Sequence, residues 1–151
     1  MDAIQMLKQE HEQAKKMFAE IEQAAADARG QLWKKLKPEL KVHEQLEETA
    51  LYVPVAREVG SKDAKLAEWE GHHREEVGEL ESMIQKIGEL EPSDSKWMEN
   101  VKKLRQTLEH HIQEEEGDVW PRIQRVWDQD KLARVGEQMA TLKRQKMQQA
   151  A

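Results

Sequence analysis

A chain of 151 residues fits one domain, large enough for a single hydrophobic core and too small for two. Charged residues make up 36% and hydrophobic ones 38%, while Gly (7), Pro (4), Phe (1) and Tyr (1) are scarce, a mixture that favours long solvated helices over sheets. The formal charge of -6 argues against a phosphate-backbone partner, and the absence of cysteine excludes disulfides, thiolate zinc, iron–sulfur clusters and thiol catalysis together.

The amino terminus, Met1-Asp2-Ala3-Ile4-Gln5, is charged and amphipathic at once, with no apolar leader, and no later stretch approaches membrane-spanning length. The expectation is one cytoplasmic domain over 1–151 with neither nucleic-acid nor membrane partners; Lys143, Arg144 and Lys146 form only a small basic cluster. Breakers then divide the chain. Gly30 is read as ending the first helix, Gly60-Ser61 as separating the second from the third, and Pro92-Ser93-Asp94 the third from the fourth, with Ser93 or Asp94 as cap. Helices are predicted near 2–27, 31–58, 62–90, 94–127 and 130–147, with Pro38 and Pro121 kinking or interrupting theirs. Short connections force neighbouring helices antiparallel, so the predicted fold is all-α: an up-down four-helix bundle with a short fifth helix at the C-terminus.

Each long helix carries an apolar stripe at steps of three and four. The stripes run Ile4, Leu7, His11, Ala14, Phe18, Ile21, Ala25; then Leu36, Leu40, His43, Glu47, Ala50 or Leu51; then Leu66, Trp69, His73, Val77, Leu80, Ile84, Ile87; and Val101, Leu104, Leu108, His111, Glu115, Val119. Every stripe contains a histidine, and two contain a glutamate that a core face must neutralise. No lysine or arginine lies on these stripes, so a metal ion is the natural counter-charge, with imidazole nitrogen and carboxylate oxygen as ligands. His43-x-x-x-Glu47 and His111-x-x-x-Glu115 each place two ligands one turn apart on a helix face. At a rise of about 1.5 Å per residue, the four ligand groups fall roughly 21 to 28 Å from the end where helices one and two are joined. Four histidines and two glutamates in one slab exceed the needs of a tetrahedral zinc and suit two non-haem iron ions sharing bridging carboxylates and solvent.

This arrangement resembles the hemerythrin-like HHE cation-binding family over nearly the whole chain. The matching segments are Gln9-Glu10-His11-Glu12, His43-Glu44-Gln45-Leu46-Glu47-Glu48 leading to Tyr52 and Pro54, Glu70-Gly71-His72-His73, and His111-Ile112-Gln113-Glu114-Glu115 leading to Trp120-Pro121. Leu132-Ala133-Arg134-Val135-Gly136-Glu137-Gln138-Met139 is similar to the family's terminal helix. The resemblance implies that His11, His43, Glu47, His73, His111 and Glu115 are iron ligands, the two glutamates bridging. It departs from oxygen-carrying hemerythrins in having Glu76 near a second helix-three histidine and Glu115 in place of an aspartate.

The remaining candidates receive blander readings. His72 and His110 lie one residue off their stripes and are read as surface or flanking groups, and Glu76 as solvated or flanking, with coordination as its alternative. Tyr52 is read as packing near a helix end, with a hydroxyl beside the metals as alternative, and Trp33, Trp69, Trp97, Trp120 and Trp127 as packing without chemistry. Of Glu114-Glu115-Glu116, only the middle residue is expected to face inward. The function expected is binding of dioxygen, nitric oxide or peroxide for sensing, storage or detoxification. Its alternatives are an enzyme that turns over peroxide or oxidises ferrous iron, and a bundle that buffers metal or binds a partner helix.

Overall fold

A computed structural model describes residues 1–59 and 62–150, so the Gly60-Ser61 break lies outside the described residues. Helix α1 spans Ala3–Gln23 and α2 Ala26–Leu46; α2 continues through a π-helical turn π1, Glu47–Tyr52, into α3, Val53–Val59. Helix α4 spans Ala64–Gly88. Helix α5, Ser95–Glu114, continues through a second π turn π2, Glu115–Val119, into α6, Trp120–Val126, and α7 closes the chain over Gln129–Ala150. Four antiparallel rods, the second and fourth each interrupted by a π turn, make up the bundle. Helix α7, of 22 residues, packs across α1 and α2. No strand occurs among the described residues.

Local chemistry sets the helix starts. Asp2 accepts from the Gln5 N–H at 2.8 Å while its own N–H donates to the Gln5 side chain at 3.0 Å, a reciprocal cap on α1. Asp63 caps α4, and Asp94, one of the two residues offered by the sequence, caps α5. Gly30 does not end the first helix. The break falls at Ala24 and Ala25, both extended, where Arg29 donates to the Ala24 carbonyl at 2.9 Å. Gly30 lies inside α2 instead, where an added Cβ would stand 3.2 Å from the Pro92 ring; the small residue serves a close approach of α2 to the loop carrying Pro92 rather than a helix stop. Helix α2 runs through Pro38 without ending there.

Pro121 does mark an interruption. It is the second residue of α6, as Pro54 is of α3, and each follows a π turn closed by an i→i−5 bond, Val53 N–H to Glu48 and Trp120 N–H to Glu115. A proline cannot donate the next i→i−4 bond, so a wider turn just upstream is a physically consistent place for the ladder to slip.

The core divides in two. One apolar cluster, at the end bearing the N-terminus, gathers Ile4, Leu7, Leu46, Leu51, Val55, Leu66, Trp69, Val119, Trp120, Ile123 and the α7 residues Leu132, Val135 and Met139. The other gathers Phe18, Ile21, Trp33, Leu36, Leu40, Leu80, Ile84, Ile87, Trp97, Leu104 and Leu108. Along every bundle helix the chain passes from one cluster to the other across a buried polar layer made of His11, His43, Glu44, Glu47, His73, His111 and Glu115.

Candidate metal centre

All six residues singled out by sequence meet in that layer, each 9% exposed or less. Their placement follows from the helix period: each histidine stands three or four residues from an apolar neighbour on its own stripe, so burying the stripe carries the imidazole inward. The Nε2 atoms converge. Glu47 lies between two histidine pairs: its Oε2 is 3.1 Å from His43 Nε2 and 3.7 Å from His11 Nε2, while its Oε1 is 3.3 Å from His73 Nε2 and 3.7 Å from His111 Nε2. Glu115 joins the pairs a second time, its Oε1 being 3.3 Å from His11 Nε2 and 3.2 Å from His111 Nε2. Two sets of ligand atoms therefore share Glu47, one with His11, His43 and Glu115, the other with Glu44, His73 and His111.

Glu44 was missed by the stripe reading. It is 5% exposed, and its Oε2 stands 3.1 Å from His73 Nε2 and 3.7 Å from His111 Nε2. The available signal was its place four residues after Leu40 and eight after Leu36, on the flank of the same face.

Every central imidazole is held from behind by a carboxylate. His11 Nδ1 pairs with Glu116 at 2.8 Å, His43 Nδ1 with Glu10 at 2.7 Å, His73 Nδ1 with Glu48 at 2.7 Å, and His111 Nδ1 with Glu76. Occupying Nδ1 in this way fixes each ring and leaves Nε2 facing the centre, the arrangement that raises the basicity of a metal-bound histidine. Glu116 is thus not a solvated member of the acidic run, because the π turn beginning at Glu115 carries it towards α1. Glu76 takes the flanking role, while His72 and His110 remain outside, 48% and 75% exposed.

Tyr52 also departs from its favoured reading. Its hydroxyl donates to Glu115 and accepts from Trp120 Nε1 at 2.9 Å, and its ring meets His73 edge-on at 4.6 Å. Trp120 is therefore part of the polar chain as well as packing, and it stacks on His11 at 4.9 Å. Tyr52 and Trp120 each stand five residues after a central glutamate. On a regular α-helix that offset would point about 140° away, whereas an i→i−5 turn brings both back to the glutamate's side.

Electrostatics shows what the layer demands. Burial opposes charge on His11, yet the nearby carboxylates of Glu115 and Glu47 push its pKa up to about 9; against the same opposition Glu44 and Glu47 push His73 up to about 10. His43 and His111 are raised despite burial by Glu47 and by Glu115 respectively. Burial works against ionisation of Glu47, but His43, His11 and His111 hold it well below the carboxylate range, while burial and the Glu47 charge push Glu115 up. The acidic centre thus draws positive charge to itself. Even so, His11 Nε2, His43 Nε2, His111 Nε2, Glu47 Oε2 and Glu115 Oε1 are buried without a hydrogen-bond partner. Buried polar atoms without partners are costly, and these five face one another in a nitrogen-and-oxygen set that suits a transition-metal cation. The residues fit a metal ion.

A bundle with histidines and carboxylates from all four rods converging on one buried layer belongs to the class of helical cation-binding domains. The hemerythrin HHE cation-binding domain matches residues 2–123, and the chain belongs to that family. It is similar to the crystal structure of a hemerythrin HHE cation-binding-domain-containing protein from Mycobacterium kansasii, with 25% identity over 97% of this chain and 87% of that one and a TM-score of 0.77. Comparison with curated proteins gives no match. Helix α7 lies beyond the matched range. No helix among the described residues is long and apolar enough to cross a membrane.

Proposed function

We propose that the layer holds two non-haem iron ions and that the protein binds dioxygen or a related small ligand such as nitric oxide or peroxide. One observation carries the count of two: Glu47 presents its two oxygens to two different histidine pairs, and Glu115 stands between one member of each. His11 and His43 would hold one ion, His73, His111 and Glu44 the other, with Glu47 and Glu115 bridging. Iron supplies the affinity for a small oxidising ligand that no side chain here possesses.

The chain's own residues shape what reaches that centre. A cavity of about 30 Å³, room for a molecule of two heavy atoms, abuts His11, His43 and Glu44 and is lined by Phe18, Leu40, Leu108 and Ile112 together with charged side chains such as Lys15, Arg105 and Lys143. The apolar part of that lining offers contact to a small uncharged ligand. On the opposite flank the Tyr52 hydroxyl is kept protonated, its pKa raised by burial and by the charges of Glu115 and Glu47, so it remains a donor to Glu115.

Anaerobic titration of metal-free protein with ferrous iron, followed by exposure to oxygen, tests the reading. Two irons per chain and a persistent coloured adduct are expected. One iron per chain overturns the shared-carboxylate arrangement, and rapid bleaching over many turnovers overturns binding in favour of catalysis.

A further inference from the structure

Tandem histidines occur twice in this chain, His72-His73 on α4 and His110-His111 on α5. The second member of each pair faces the centre. The first begins a His-x-x-x-Glu pattern of its own, His72 to Glu76 and His110 to Glu114, one residue out of step with the buried pattern and so on the outer side of its helix. His72 Nε2 lies 2.7 Å from Glu76 Oε1, and His110 Nε2 lies 3.0 Å from Glu114 Oε1.

These are not two separate surface pairs. An imidazole nitrogen of His72 and a carboxylate oxygen from each of Glu76 and Glu114 lie within 4.8 Å of one another, across the α4–α5 seam. Glu76 and Glu114 are only 19% and 37% exposed, and the Trp69 ring, 5.1 Å from His72, backs the imidazole. Two carboxylates brought this close with one imidazole between them form a mixed nitrogen–oxygen set open to water on one side. The second oxygen of Glu76 is the one that pairs with His111 Nδ1.

We propose that His72, Glu76 and Glu114 form an exposed site for a divalent transition-metal cation, and that cations bound for the buried centre are first captured there. One imidazole and two carboxylates satisfy half of an octahedral cation and leave its remaining positions to water, so binding is weaker and exchanges faster than in the buried layer. The net charge of -6 raises the local concentration of cations around such a mouth. Glu76 spans the step inward, with one oxygen in the exposed set and the other on a histidine of the centre. The entry role rests on the metal-centre reading above; the exposed site itself rests on its own three residues.

The test is an anaerobic titration of the full chain with cobalt(II), followed by calorimetry and by NMR of the histidine rings, in the natural protein and in His72→Gln/Glu114→Gln. Neither substituted side chain forms a hydrogen bond or ion pair with the buried histidines, and unchanged melting of the metal-free double variant verifies that it is folded. The natural protein is expected to take a weak equivalent that broadens the His72 ring signals, in addition to tight equivalents at the centre. The double variant should lose the weak equivalent, keep the tight ones, and load them more slowly. Retention of the weak equivalent, or loading at the natural rate, overturns the proposal. Absence of tight equivalents in the natural protein instead overturns the metal-centre reading, and the entry role with it.

Discussion

Single side chains here do two kinds of work, and substitution separates them. Replacing His43 or His111 with alanine removes one of the converging Nε2 atoms and takes from Glu10 or Glu76 one of its partners. Metal content and melting temperature should fall together, and a variant that keeps both would remove that residue from the ligand set. Tyr52→Phe acts differently. It takes away a hydroxyl that joins Glu115 to Trp120 but touches no Nε2, so metal content should stay while stability to urea falls by about 1 to 3 kcal/mol, the cost of leaving buried polar groups unpaired. Metal analysis alongside the denaturation curve checks both halves of that expectation. At this scale the sequence was most legible where stripe position alone decides orientation: six inward residues were recognisable because an apolar neighbour three or four places away carries each inward. Glu10, Glu48 and Glu116 were not, since each matters only through a histidine on another helix, and nothing in the spacing along its own helix marks it.

Element by element, the legible and illegible parts divide along the same physical line. Four amphipathic rods, the cap of α5 at Asp94 and the antiparallel order of neighbouring rods follow from periodicity and short connections. The two π turns do not, because a 3.6-residue period assumes an unbroken ladder; Pro54 and Pro121 were the visible hints, and their consequence is that Tyr52 and Trp120 join the site. The connection at Ala24-Ala25 was hidden because neither residue is a habitual breaker, whereas Gly30 is one by habit and is used for close packing instead. A second glycine makes a prediction of its own. A Cβ on Gly136 would lie 2.6 Å from the Met1 carbonyl oxygen and 2.9 Å from the Ala3 nitrogen, backbone atoms at the head of α1. Gly136→Ala should therefore cost about 1 to 3 kcal/mol through overpacking and loosen α7 before the bundle. Hydrogen exchange should show faster opening of Gln129–Ala150 with little change in α4 and α5.

For the whole molecule, the charged layer ties stability to pH in opposite senses with and without metal. A histidine whose pKa is raised on folding contributes stability fully below its ordinary value of about 6.5 and loses that contribution as pH climbs through the folded value. With His11 raised to about 9 and His73 to about 10, the metal-free protein should melt at progressively lower temperature as pH rises through that window. Metal binding must expel the same protons, so affinity for the metal should weaken as pH falls. Thermal melts of the metal-free protein and competitive chelator titrations, each across pH, check the two trends; a metal-free melting temperature that rises with pH contradicts the first. The division of the hydrophobic interior carries this further. Two greasy blocks are separated by a disc of ionised groups that every rod must cross, so little apolar contact bridges them directly. A cation seated in the disc would rivet the blocks together, and how sharply the protein melts becomes a report on how much of it is loaded.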